Sequence, residues 1–155
     1  MKLSDFLSPE RVLAKIESSS KKEALEEIAQ FICETELGAS LTAKQLFNAI
    51  MDREELGSTG IGDGVAIPHA KIHGLETLCA SFVRSTEGVQ YDSIDSQPVR
   101  LIFVLLVPEN SAGLHLKALA RISRVLKDRE FRDELIAAET SRELYDLFIR
   151  QDTQN

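Results

Sequence analysis

The amino-acid sequence predicts a single α/β domain in which a mixed β-sheet is sandwiched between helices. Three observations carry that class. Two runs rich in β-branched and apolar residues, Leu78 to Thr86 and Val99 to Val107, lie mid-chain; segments with helical spacing precede and follow them; and no repeat, low-complexity tract or Pro/Gly/Ser-rich linker divides the chain. With 155 residues, one domain spanning 1–155 buries roughly two-thirds of its unfolded surface, so folding requires neither disulfides nor a structural metal.

A short strand is expected near Arg11 to Ile16. Helices near 20–36 and 42–55 follow, each announced by a hydroxyl residue with Glu or Gln three places later, Ser20 with Glu23 and Thr42 with Gln45. Those pairs satisfy open backbone donors at a helix start. Leu25, Ile28, Ala29 and Ile32 continue the first at helical spacing, and Leu46, Ile50 and Met51 the second. Another short strand is expected at Val65 to Ile67. Pro98 and Pro108 bracket the run Val99 to Val107, whose residues are apolar on both faces, which predicts a central strand. From Ser111 to Lys127 the helical period returns, with His115, Leu119, Ile122 and Leu126 on one inward stripe. Short helices near 129–138 and 141–150 close the chain, the latter marked by Thr140 with Glu143.

Composition removes several function classes. The 18 Lys+Arg against 25 Asp+Glu give a net charge of -7, which opposes binding to nucleic acid or anionic lipid. The longest apolar run, Leu101 to Val107, falls far short of the roughly 20 residues a membrane span needs, so no membrane insertion is expected. Cys33 and Cys79 lack any finger-like spacing and read as small buried apolar residues in a reducing compartment, which places the protein in the cytoplasm. No cofactor is expected.

Folding alone does not explain the segment from Arg53 to His73. Gly57, Gly60, Gly62 and Gly64 crowd into eight positions, permitting the backbone geometry that presents N–H groups to an anion. Ser58 and Thr59 add hydroxyl donors. Pro68 then fixes its own φ and biases Ile67 toward extended backbone, so His69 stands on a stiff support. A neutral imidazole, with an ordinary pKa of about 6.5, is a nucleophile near neutral pH. Phosphoryl transfer is mainly positioning plus electrostatic stabilisation by Arg and N–H donors, and Arg53 with the loop Ser58-Thr59-Gly60 supplies both. His115, near the start of its helix, adds an imidazole where the helix dipole favours a bound phosphate.

Arg53-Glu54, Ser58-Thr59-Gly60-Ile61-Gly62, Ala66-Ile67-Pro68-His69, Leu106-Val107-Pro108 and His115-Leu116 together resemble the mannitol/fructose class of enzyme IIA domains of the bacterial phosphoenolpyruvate-dependent phosphotransferase system, and most closely its free-standing nitrogen-regulatory branch. The likeness covers nearly the whole chain. It implies that His69 is phosphorylated, at Nε2, and that His115 and Arg53 line the phosphate site. The donor it implies is a histidine-phosphorylated small carrier protein, and the output is regulation through protein–protein contacts. One departure stands beside the histidine, where Ala70 replaces the family's common Gly.

A second reading is metal binding. His69 and His73 at i and i+4, with His115 and Asp63, form a candidate zinc set for a structural site or a metal hydrolase. Pro68 and Gly74, however, bound too short a segment for a good helix.

Overall fold

The helix starts marked in the sequence form as expected. In the computed structural model, which describes residues 1–37 and 40–154, Thr42 and Gln45 complete a reciprocal capping box, at 3.1 and 2.9 Å. The Ser20 and Thr140 hydroxyls accept from the amides of Glu23 and Glu143. These caps open α1 (Lys21–Cys33) and α2 (Ala43–Glu55), and a third opens the last helix, α5 (Ser141–Gln154). Between them run α3 (Ala112–Lys127) and α4 (Arg129–Ala137). Asp128, the residue between those two helices, caps α4 by accepting from the amides of Glu130 and Phe131.

Six strands form one mixed sheet: β1 (Leu7–Leu13), β2 (Gly60–Gly62), β3 (Val65–Ala66), β4 (His69–Ile72), β5 (Cys79–Val89) and β6 (Val99–Pro108). Their order is β1-β5-β6-β3-β2, with β4 also pairing β6. β6 is the central strand predicted from its two apolar faces. Leu101, Phe103, Leu105 and Val107 face a core shared with α3, α4 and α5, while Ile102, Val104 and Leu106 face the core of α1 and α2. The sheet is therefore sandwiched between helices in a single domain. Phe148 of α5 sits at the centre of one layer, its ring 4.8 Å from Phe82, 5.4 Å from Phe103 and 5.3 Å from Phe131.

Besides β4, a strand not expected from the sequence, three elements differ from expectation. The first strand begins at Leu7, not Arg11, and carries Pro9 and Glu10; it is an edge strand with an irregular register between Leu7 and Val12, where a missing N–H is tolerated. The last helix runs past 150 to Gln154, because the Asp152 carboxylate accepts from the amides of Leu3 and Ser4 at 2.8 and 3.0 Å and so ties the two chain ends together. The glycine-rich segment is not open loop throughout. Gly60–Gly62 and Val65–Ala66 pair as a hairpin around Asp63-Gly64, both at positive φ (58° and 75°), the backbone an Asp-Gly turn of the primed type adopts. Within β5, buried Arg84 donates to the carbonyls of Ala14, Leu135 and Ala138, pinning the end of α4 to the sheet. Cys79 is buried and Cys33 half-buried, both free.

Candidate functional site

Residues 65–72 run parallel to 101–108 in one register, Val65 opposite Leu101, Ala66 opposite Ile102, His69 opposite Leu105 and Ile72 opposite Pro108. β3 and β4 are thus two pieces of one line of backbone, interrupted where Pro68 has no N–H to give. Ladder contact persists through that gap, since the Pro68 carbonyl accepts from Leu105 N at 2.9 Å and Ile67 N donates to the Thr59 carbonyl at 3.0 Å. Alternation along a strand sends Val65, Ile67, His69 and Lys71 to the face that α3 covers, and Ala66, Ala70 and Ile72 into the α1/α2 core. Ala70 is buried against that core while also bordering the pocket beside His69.

The His69 ring is half-buried on the wall of a pocket of about 470 Å³, lined by Asp52, Arg53 and Leu56 at the end of α2, by Ala70 and Lys71, and by His115. Its Nδ1 lies 2.9 Å from the Ile67 carbonyl. A carbonyl only accepts, so Nδ1 carries the proton and Nε2 keeps its lone pair. Arg53 Nε donates to that lone pair at 3.1 Å, while Arg53 Nη1 donates to the Gly57 carbonyl at 2.8 Å. Burial holds the His69 pKa below its ordinary value; the Ile67 bond opposes the shift, and the nearby Arg53 charge adds to it. The resting ring is a neutral, tautomerically fixed imidazole whose free nitrogen is capped by a cation.

His115 stands in the first turn of α3 with its ring 5.1 Å from that of His69. Its pKa is lowered too, first by burial and then by the His69, Lys71 and Arg53 charges. Its Nε2 is buried without a hydrogen-bond partner, an arrangement that costs free energy unless something else fills the site.

The structure brings together three predicted residues, Arg53, His69 and His115, on one pocket wall. Ser58, Thr59 and Gly60 sit one step behind it. Thr59 is buried, and its amide and hydroxyl both donate to the Glu54 carboxylate. The Ser58 hydroxyl donates to the Tyr91 carbonyl at 3.2 Å and accepts from Gly60 N at 3.1 Å. Arg53 reaches His69 while the neighbouring Glu54 pairs with Lys21 at 3.6 Å. The zinc set does not assemble: the His73 side chain is 95 % exposed and bonded to Glu109 at 2.8 Å, and among the described residues no three His, Cys, Asp or Glu side chains converge on a metal position. Sequence reasoning missed Lys71, Leu56 and Glu54. Lys71 was legible in principle, since i+2 on a strand shares the face of His69.

Comparison with known proteins gives the chain a family. Residues 5–151 match the model of the family described as "Phosphoenolpyruvate-dependent sugar phosphotransferase system, EIIA 2". The chain belongs to the EIIA 2 family. Among relatives, a nitrogen regulatory protein of Bradyrhizobium diazoefficiens is 39 % identical over 145 residues, covering 94 % of this chain and 93 % of that protein. One from Pseudomonas aeruginosa is 37 % identical over 155 residues, covering 100 % and 98 %. The solved nitrogen regulatory protein IIA-Ntr of Neisseria meningitidis superposes with a TM-score of 0.86 at 34 % identity, covering 94 % of this chain and 98 % of that one. The EIIA 2 chain is a component of a phosphotransfer relay with a regulatory character shared with these relatives. Among its described residues no helix is long and apolar enough to cross a membrane.

Proposed function

We propose that His69 Nε2 accepts a phosphoryl group from a histidine-phosphorylated small carrier protein, itself charged from phosphoenolpyruvate, and that the phosphorylated and free forms regulate other proteins through contacts at this face. The observation that carries the reading is the fixed tautomer, Nδ1–H on the Ile67 carbonyl and Nε2 unprotonated in a pocket. In transfer, the Nε2 lone pair attacks phosphorus, the donor's P–N bond breaks, and its electron pair returns to the donor imidazole. The accepting ring keeps its Nδ1 proton and becomes cationic, which the Ile67 carbonyl favours.

Arg53 has to release Nε2 for attack, and the same guanidinium then meets the phosphoryl oxygens, where its fork suits a spread negative charge. The His115 Nε2, buried and unpartnered, gains an acceptor in a phosphoryl oxygen. Ser58, Thr59 and Gly60 contribute by holding the turn that anchors Arg53. A protein donor fits the rim better than a small molecule does, because Leu56, which lines the pocket, is 83 % exposed, and Leu114 and Leu116, the chain neighbours of His115, are 41 % and 67 % exposed; large apolar side chains in water near a site mark contact with another protein. Two free cysteines accord with a reducing cytoplasm, where that carrier would act.

The test is incubation with a phosphoenolpyruvate-driven relay followed by intact-mass measurement. One phosphate is expected, labile in acid and absent from His69→Ala. A label that persists in that variant would remove His69 from the role.

A further inference from the structure

Behind the pocket lies a buried polar cluster that the transfer step does not use. Glu54, in the last turn of α2, is an acid at the negative end of a helix dipole, an unfavourable place for a carboxylate. Lys21, in the first turn of α1, is a cation at the positive end of another. Each misplacement is explained by the other, since Lys21 Nζ lies 3.6 Å from Glu54 with side chains only 16 % and 1 % exposed. Glu54 also accepts from Thr59 N at 3.0 Å and from the Thr59 hydroxyl. Because the single hydroxyl proton of Thr59 goes to Glu54, the Tyr91 phenol must donate to Thr59 Oγ across their 3.1 Å contact. Lys21 closes the cluster by lying 4.7 Å over the Tyr91 ring.

This cluster grips one end of a four-residue turn. Thr59 is its last residue, and Gly57 is where Arg53 Nη1 is anchored. The Gly57 amide in turn donates to the Glu54 carbonyl at 3.1 Å. We infer that Glu54 is a positioning residue for phosphoryl transfer: by clamping Thr59 it sets the Gly57 carbonyl, and that carbonyl with the His69 ring holds the Arg53 guanidinium in register with Nε2. The inference rests on the proposed function for its kinetic consequence and on geometry alone for the clamp. Arg53 has two anchors. If the carbonyl drifts, its Nε no longer stays aligned with a ring held by strand β4.

Two readouts separate positioning from a merely structural role. In the first, nuclear magnetic resonance follows exchange of the Arg53 Nε–H with water in wild type, Glu54→Gln, the near-isosteric Thr59→Val and the hydroxyl-retaining Thr59→Ser. At least tenfold faster exchange is expected in Glu54→Gln and Thr59→Val, with Thr59→Ser near wild type. In the second, single-turnover transfer is measured against the concentration of phosphorylated carrier. The maximal rate should fall about tenfold in Glu54→Gln with the half-saturating concentration within twofold of wild type, and Glu54→Gln should add nothing in an Arg53→Gln background. Wild-type exchange in either folded variant, an unchanged maximal rate, or an additive loss in the double variant would overturn the inference. A wild-type protein that takes no phosphate would instead sink the proposed function, and the exchange data would still judge the clamp. Should Glu54→Gln fail to fold, Thr59→Val carries both measurements.

Discussion

Replacing Gly60 with Ala is expected to destabilise the protein by steric conflict alone. A Cβ built there would stand 2.8 Å from Ser93 Oγ, 2.9 Å from Ser93 Cα and 3.0 Å from Ser93 Cβ, against the roughly 3.5–4.0 Å of an unstrained carbon contact. A rotamer change relieves only the hydroxyl, because the Ser93 Cα belongs to backbone. The two segments cannot part freely either, since Ile94 N donates to the Gly60 carbonyl at 3.2 Å. Overpacking of this kind costs about 1–3 kcal/mol, and weakening the tethering hydrogen bond adds about 1 kcal/mol. Together they make a loss of about 2–4 kcal/mol. For a domain of this size each kcal/mol lowers Tm by roughly 2–4 °C, so the variant should melt on the order of 10 °C below wild type. Its urea midpoint should fall with the slope unchanged. Gly113→Ala, where nothing lies within 4 Å and φ is not positive, is the control and should hold or slightly raise Tm. A Gly60→Ala protein melting within 1 °C of wild type would show that the hairpin is not packed against Ser93 and would undo the reasoning.

Other outcomes follow from the same geometry. Since burial lowers the His69 pKa, its imidazole should titrate below 6.5 by nuclear magnetic resonance, leaving the ring neutral across the physiological range; a midpoint at or above 6.5 would contradict the half-buried site. Arg53→Gln removes a charge that lowers this pKa, so the midpoint should move up while transfer slows on the order of 10²-fold, as when one donor to a developing charge is lost; an unmoved midpoint would place the guanidinium elsewhere. Phe148→Ala empties a fully buried site against three rings and should cost about 3–5 kcal/mol in urea unfolding; a loss under about 1 kcal/mol would mean that α5 does not hold the sheet as described.

Much of the fold was legible because helix caps and apolar periodicity are local. Ser20, Thr42 and Thr140 announce their helices within three residues, and from Leu101 to Val107 every residue is apolar, as a strand covered on both faces requires. β1 was displaced because its Pro9, Glu10 and Arg11 are tolerable only on a sheet edge, which is a tertiary fact. β4 was missed because four residues after a proline show too little alternation, although their pairing with Leu105 to Pro108 makes them strand. Within the candidate site, Arg53, His69 and His115, expected from residue type and spacing, lie together on one pocket wall. Thr59 was expected to offer its hydroxyl to an anion as part of the glycine-rich loop, whereas here Glu54, five residues earlier, takes its proton. The Lys21–Glu54 pair was invisible because it joins opposite ends of two helices.

Carrying the nucleophile on the same line of backbone as β3 has a consequence for how the segment tolerates change in length. With period-two alternation, inserting or deleting one residue between Ala66 and His69 rotates the imidazole by half a turn, exchanging it with Ala70 and driving it into the α1/α2 layer. The stretch Ile67-Pro68 therefore acts as a ruler with a fixed count, although its proline makes it look like a break between strands.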